Sequence, residues 1–209
     1  RSMGIHESQS LFCEMQLGHA PAFLSLLAPR IRAHFGEQAA LAPANLEKLY
    51  NRVEPGFIRV DADEVTYPAH VILRYELERD LIEGRIEVAD IPALWDAKMQ
   101  QWLGLSTKGN YQNGCMQDIH WTDGSFGYFP SYTLGAMYAA QLRFALEREL
   151  GDMGQLIAAG RLPEIFGWLG SHIWSQGSLH GTDELIRRAT GEALNPQWLR
   201  KHLEQRYLK

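Results

Sequence analysis

The sequence predicts a mainly α-helical protein with one small β element, and three observations carry that reading. Apolar residues recur at three- and four-residue spacing through most of the chain, and glycines and prolines stand where those periods begin or end. Only one short segment is β-branched and turn-flanked in the manner of a strand. With 209 residues, 45% of them hydrophobic and 22% charged, the chain can bury a substantial core. No internal repeat, low-complexity tract or linker interrupts it, so residues 1–209 read as one domain.

Taken in order, Leu11, Phe12, Cys13 and Met15 give a helix from His6 to Leu17, with Gly18 as its stop. Pro21 suits the first turn of a second helix carrying Phe23, Leu24, Leu26, Leu27, Ile31 and Phe35, which Pro29 should kink or divide. A third helix runs from Pro43 or Asn45 to Val53, before the turn Glu54-Pro55-Gly56. Phe57-Ile58-Arg59-Val60 is the expected strand. Asp61 or Asp63 then caps a long helix with Val65, Val71, Ile72, Tyr75, Leu77 and Leu81 on its inner face, ending at Gly84. Ile91 opens another helix, which Gly104 ends. The longest helix is expected from Ser131 to Leu150, its stripe being Leu134, Met137, Tyr138, Leu142, Phe144 and Leu146. Shorter ones follow over residues 152–159, 162–174, 182–190 and 195–207.

The net charge is −5 and basic residues alternate with acidic ones, which argues against a nucleic-acid partner. Cys13 and Cys115 have no CxxC spacing and read as small core residues in a reducing, cytoplasmic setting. No apolar run approaches the roughly 18 residues of a membrane span, and no signal peptide is seen, so no membrane association is expected.

Residues 114–128 have neither helical nor strand periodicity, yet gather Gln117, Asp118 and His120 between glycine-bearing segments and end on Tyr128, with Trp121, Phe126 and Phe129 as aromatic anchors. Such a loop can aim an imidazole and a phenol at a substrate; loops of this composition are also often only turns. His6-Glu7 at the start of a helix is weak by itself, because the helix dipole favours a carboxylate there without any function. Together, a Glu on one helix, a later His and Tyr, and the Asp63-Glu64 pair could converge in the manner of a zinc-peptidase cleft. For Asp63, Glu64 and Thr66 helix capping is preferred over substrate contact, and for Arg59 a structural ion pair is as good a reading as substrate binding.

Gly4-Ile5-His6-Glu7-Ser8-Gln9-Ser10, Asp61-Ala62-Asp63-Glu64-Val65-Thr66-Tyr67 and Gly114-Cys115-Met116-Gln117-Asp118-Ile119-His120-Trp121 follow one another here. In this order they resemble the signature segments of the thermostable (Taq-type) carboxypeptidase family of HExxH zinc peptidases. The third, of the form GxxQDxHW, is the most specific. The resemblance implies a zinc-dependent carboxypeptidase acting on peptides, with Glu7 as one zinc ligand and His6 beside it. It implies that His120 and Tyr128 donate hydrogen bonds to the oxyanion and that Gln117 and Asp118 orient their loop. It also implies a homodimer.

One departure matters: none of the histidines at 6, 19, 34, 70, 120, 172, 180 and 202 lies in an HExxH. The two histidine ligands and the general base are therefore expected in an upstream portion of the same protein, and this chain reads as the C-terminal part, inactive alone. The alternatives are a helical scaffold module that has lost the metal helix, or a related zinc oligopeptidase.

Overall fold

The computed structural model describes residues 2–208, and backbone proximity divides the chain into two compact units. Unit 1 comprises residues 1–51 and 134–209; unit 2 comprises residues 52–133.

Unit 1 begins with α1 (Met3–Leu11), which passes directly into a π-helical segment, Phe12–Gly18. The single helix expected over 6–17 is thus two windings, and in the wider one the His19 N–H donates to the Glu14 carbonyl, five residues back, at 3.0 Å. Helices α2 (Pro21–Phe35) and α3 (Pro43–Tyr50) follow. Pro29 does not divide α2. It sits on an exposed face, where the hydrogen bond it cannot donate is replaced by water at little cost. Cys13 is exposed, against the expectation of a core position, because the wider winding turns it outward; Cys115 is buried, and both thiols are free.

The longest helix, α6 (Pro130–Leu150), has the unit boundary in its first turn. It is followed by α7 (Met153–Ala158), α8 (Leu162–His172), α9 (Thr182–Thr190) and α10 (Gln197–Tyr207). Tyr138, Leu142 and Leu146 of α6 meet Ile5, Phe12, Leu156, Ile157, Ile165, Leu169, Leu185 and Ile186 in one apolar cluster. Each such aliphatic side chain contributes about 1.5–3 kcal/mol by leaving water. The expected α6 stripe is accordingly the inner face for Tyr138, Leu142, Phe144 and Leu146.

Unit 2 is built on α4 (Tyr67–Ile82) and α5 (Ile91–Leu103), packed through Leu73, Leu77, Ile91, Trp95, Met99 and Leu103. Among the described residues there is no strand. Residues 59–61 form one 3₁₀ turn instead of the expected β element. A lone strand has no ladder partner, and the Arg59 N–H is satisfied by the Gln117 side chain at 2.7 Å. The inner face of α4 also differs from expectation: His70, Val71, Leu73, Arg74, Leu77 and Glu78 are buried, whereas Val65, Ile72 and Tyr75 are exposed. A buried Arg74–Glu78 ion pair takes positions that a hydrophobicity pattern assigns to solvent. Asp63 accepts from the backbone N–H groups of Val65 and Thr66, both at 2.9 Å, and so supports the entry to α4. No helix among the described residues is long and apolar enough to cross a membrane.

Candidate functional site

In unit 2 the polar loop 114–128 is fastened at several points. A Cβ on Gly114 would lie 2.8 Å from the Asn110 carbonyl oxygen, so glycine is required for the loop to enter as it does. Gln117 Nε2 donates to the carbonyls of Phe57, Asn113 and Gly114 at 2.9, 3.1 and 3.2 Å, while its Oε1 accepts from Arg59 N. The next residue, Asp118, is buried. Its Oδ1 accepts from Arg59 Nε at 3.0 Å and Nη2 at 2.9 Å. Arg59 Nη1 donates to the Tyr67 hydroxyl at 2.6 Å, and the guanidinium lies 5.0 Å from the ring centres of both Phe129 and Tyr132. Burial works against the Arg59 charge, but Tyr67 and Asp118 outweigh it and hold its pKa above the ordinary value.

The far side of the loop rests on the ion pair of α4. Glu78 Oε2 accepts from Arg74 Nη1 at 2.5 Å, and Glu78 Oε1 accepts from the Gly127 N–H. Gly127 takes φ +80°, which lets the backbone turn its N–H inward. The Arg74 guanidinium is stacked 3.2 Å from the Trp121 ring centre, and Trp121 Nε1 donates to the Cys115 carbonyl at 2.9 Å. Burial lowers the Arg74 pKa, with Glu78 and Asp118 opposing that effect.

Between these anchors, the 3₁₀ turn Ile119–Trp121 presents His120. Its Nε2 is 3.1 Å from the Tyr132 hydroxyl, and its ring meets Phe129 edge-on at 4.8 Å and Tyr128 at 5.9 Å. Nδ1 is 4.0 Å from Asp118 Oδ1 and makes no hydrogen bond. With the Tyr132 hydroxyl donating, the proton resides on Nδ1 and faces the carboxylate; with it accepting, the proton resides on Nε2. Four of the expected site residues, Arg59, Gln117, Asp118 and His120, are thereby joined in one network, with Tyr128 against the imidazole. Tyr67, Tyr132 and the Arg74–Glu78 pair were not anticipated. Their only signals were helical spacing and the tyrosines flanking the motifs, which a packing role explains equally well.

His70, also not anticipated, is buried on α4 near the same network. Burial, reinforced by the Arg59 charge, pushes its pKa down to about 4, although Asp118 and Asp63 oppose this. The Gly56 backbone approaches the ring, but neither ring nitrogen forms a well-aligned hydrogen bond.

In unit 1, Glu7 sits half-buried on α1, and the Ser10 hydroxyl donates to its carbonyl at 2.9 Å and lies 3.4 Å from Oε2. His6 is exposed on the same helix, and Ser8 is buried with its hydroxyl donating to the Ile5 carbonyl at 2.7 Å. Gly135 of α6 is pressed against Glu7. Glu7 can offer one carboxylate to a metal, but a catalytic zinc takes about three protein ligands. Among the described residues no group of three or more His, Cys, Asp or Glu is placed to hold a metal. The described residues of this chain do not by themselves compose a metal centre.

Comparison with known proteins covers nearly the whole chain. The sequence profile described as "Carboxypeptidase Taq (M32) metallopeptidase" matches residues 1–207. "Thermostable carboxypeptidase 1" of Pyrococcus furiosus is 35% identical over 207 residues, which are 99% of this chain and 41% of that protein. The protein of the same name from Thermus thermophilus is 41% identical, across 99% of this chain and 40% of that protein. The solved structure of Trypanosoma cruzi metallocarboxypeptidase 1 superposes with a TM-score of 0.96 at 52% identity, covering 100% of this chain and 44% of that one. The chain thus spans about two fifths of the length of these relatives. On the match over residues 1–207 and the shared all-helical fold, the chain belongs to the Taq-type (M32) metallopeptidase family of carboxypeptidases.

Proposed function

We propose that the chain is the C-terminal part of a single metallocarboxypeptidase domain that removes C-terminal residues from peptides, with zinc as the metal and Glu7 as one of its ligands. Two histidine ligands and the general base come from an upstream portion of the same protein, without which the chain is inactive. The working protein is a cytoplasmic homodimer. Within this chain, His120 and Tyr128 donate hydrogen bonds to the oxyanion of the tetrahedral intermediate. Gln117 and Asp118 hold their loop, and His6 screens the Glu7 carboxylate. Arg59 acts through Asp118 rather than on the substrate.

The observation that carries the reading is the setting of His120. It stands in an aromatic wall of Phe129, Tyr128 and Tyr132, on a loop tied at both ends by buried ion pairs. Donors fixed before the reaction stabilise developing charge without paying for reorganisation, and removing one such donor costs about 10²–10³ in kcat. The test combines intact mass, metal content and release of the C-terminal residue from an N-blocked peptide, on this chain with and without the upstream portion. Zinc retention and release are expected only with both, and His120→Ala is expected to lower kcat while zinc remains bound. Release by this chain alone would overturn the reading.

A further inference from the structure

Unit 1 contains a cavity of about 330 Å³, walled by the π-helical segment and by residues of α2, α3, α6, α7 and α10. Its lining is polar and of both signs. Gln16, from the π-helical segment, is 1% exposed, and its Oε1 accepts no hydrogen bond. Asn51 Oδ1, in the same lining, is also buried without a donor. A buried acceptor without a donor is costly, and two of them in one wall ask for a ligand that brings N–H groups. The wider winding that carries Gln16 adds to this, since π-turns are rare and concentrate at functional sites.

The cavity also presents cations. Arg143 gives Nε to Glu147 Oε1 at 3.1 Å and Nη1 to the buried His202 Nδ1 at 3.2 Å, which leaves its Nη2 uncommitted. Arg206 is a second guanidinium in the lining. An inorganic anion would suit the arginines and leave Gln16 and Asn51 without donors. The Glu47 and Asp152 carboxylates also line the cavity and favour a cationic group, but a bare metal ion would bring no anion to the arginines and be repelled by them.

We propose that this cavity binds a free α-amino acid as its zwitterion, the ammonium donating to Gln16 Oε1 and Asn51 Oδ1 and the carboxylate accepting from Arg143 and Arg206. A dipolar ligand satisfies both halves of the lining at once, and the volume is that of a small-molecule site. The site lies wholly in unit 1 and uses none of the residues given a role in peptide hydrolysis.

The test is calorimetric titration of the purified protein with L-alanine and L-leucine, beside N-acetyl-L-alanine, L-alaninamide and inorganic phosphate. Saturable binding of the free amino acids is expected, weakened about tenfold or more by blocking either end. Gln16→Met and Arg143→Met should each abolish it, with thermal melts checking that both variants fold. The blocked analogues carry the test even if a variant unfolds. No saturable binding, equal binding of the blocked forms or of phosphate, or binding that survives both substitutions in folded protein would overturn the proposal.

Discussion

Gly135 of α6 lies so close to Glu7 of α1 that a Cβ added there would sit 2.6 Å from the Glu7 Cβ and 3.1 Å from both the Glu7 carbonyl carbon and the Ser8 nitrogen. Two effects oppose each other in Gly135→Ala. Helix propensity favours alanine by about 1 kcal/mol, whereas the added methyl collides with backbone that cannot rotate away. Overpacking of this kind costs about 1–3 kcal/mol, so a net loss of stability is expected in urea denaturation, together with a displaced Glu7. Gly4→Ala is the milder comparison: its nearest neighbours, Leu134 Cβ and a Tyr138 ring carbon, lie at 3.3 and 3.4 Å, so they need shift by only a few tenths of an ångström. Equal stability of Gly135→Ala and the parent would show that α1 moves freely.

The Arg59–Asp118 pair is buried at both ends, with side chains 8% and 3% exposed. Removing one partner strands a charge away from water, which costs about 3–5 kcal/mol. Arg59→Met is therefore expected to destabilise unit 2 by that order, and Arg59→Met with Asp118→Leu by clearly less than the two single changes added together. A double-mutant cycle reads the difference; additive losses would mean that the two groups do not depend on each other.

Much of the helical order was readable because periodicity and punctuation agree: Pro21, Gly104 and Asn195-Pro196 stand at helix ends, where backbone chemistry wants them. The supposed strand was not readable, because Phe57–Val60 has β-branched residues but no ladder: the Phe57 carbonyl and Arg59 N–H bond the Gln117 side chain, 60 residues from Phe57, and the Ile58 and Arg59 carbonyls accept from Asp61 and Ala62 in the local turn. The inner face of α4 was misread for a related reason. A hydrophobic pattern cannot foresee that Arg74 and Glu78 will neutralise each other inside, beneath Trp121. The site loop was legible from its residue types and its resemblance. Tyr132, which contacts His120, was not, since a tyrosine in the first turns of a long helix carries no signal of its own.

His70 gives the fold a pH dependence with a definite sign. Its folded pKa of about 4 lies below the ordinary 6.5, so between these values the unfolded chain binds more protons than the folded one. Stability then rises with pH through that window: it is fully present above about pH 6.5 and is lost as pH falls towards 4. The shift corresponds to about 3 kcal/mol at most, at 1.36 kcal/mol per pKa unit. Unfolding free energies measured from pH 4 to 7 should therefore slope less steeply in His70→Phe than in the parent. Identical slopes would assign the acid sensitivity to the carboxylates instead.

Tyr132→Phe separates the orientation of His120 from its packing. The substitution removes the hydroxyl 3.1 Å from His120 Nε2 and the ring stays in place. That ring still meets Phe129, Tyr128 and Tyr67 edge-on at 5.7, 5.2 and 5.9 Å. Stability should fall by only about 1 kcal/mol, the net worth of one hydrogen bond. If His120 stabilises the oxyanion as proposed, losing the group that holds its ring should lower kcat about tenfold with KM nearly unchanged, because an interaction made in the transition state is weakened. Tyr132→Phe with parental kcat would place Tyr132 in the packing of the loop and nothing more.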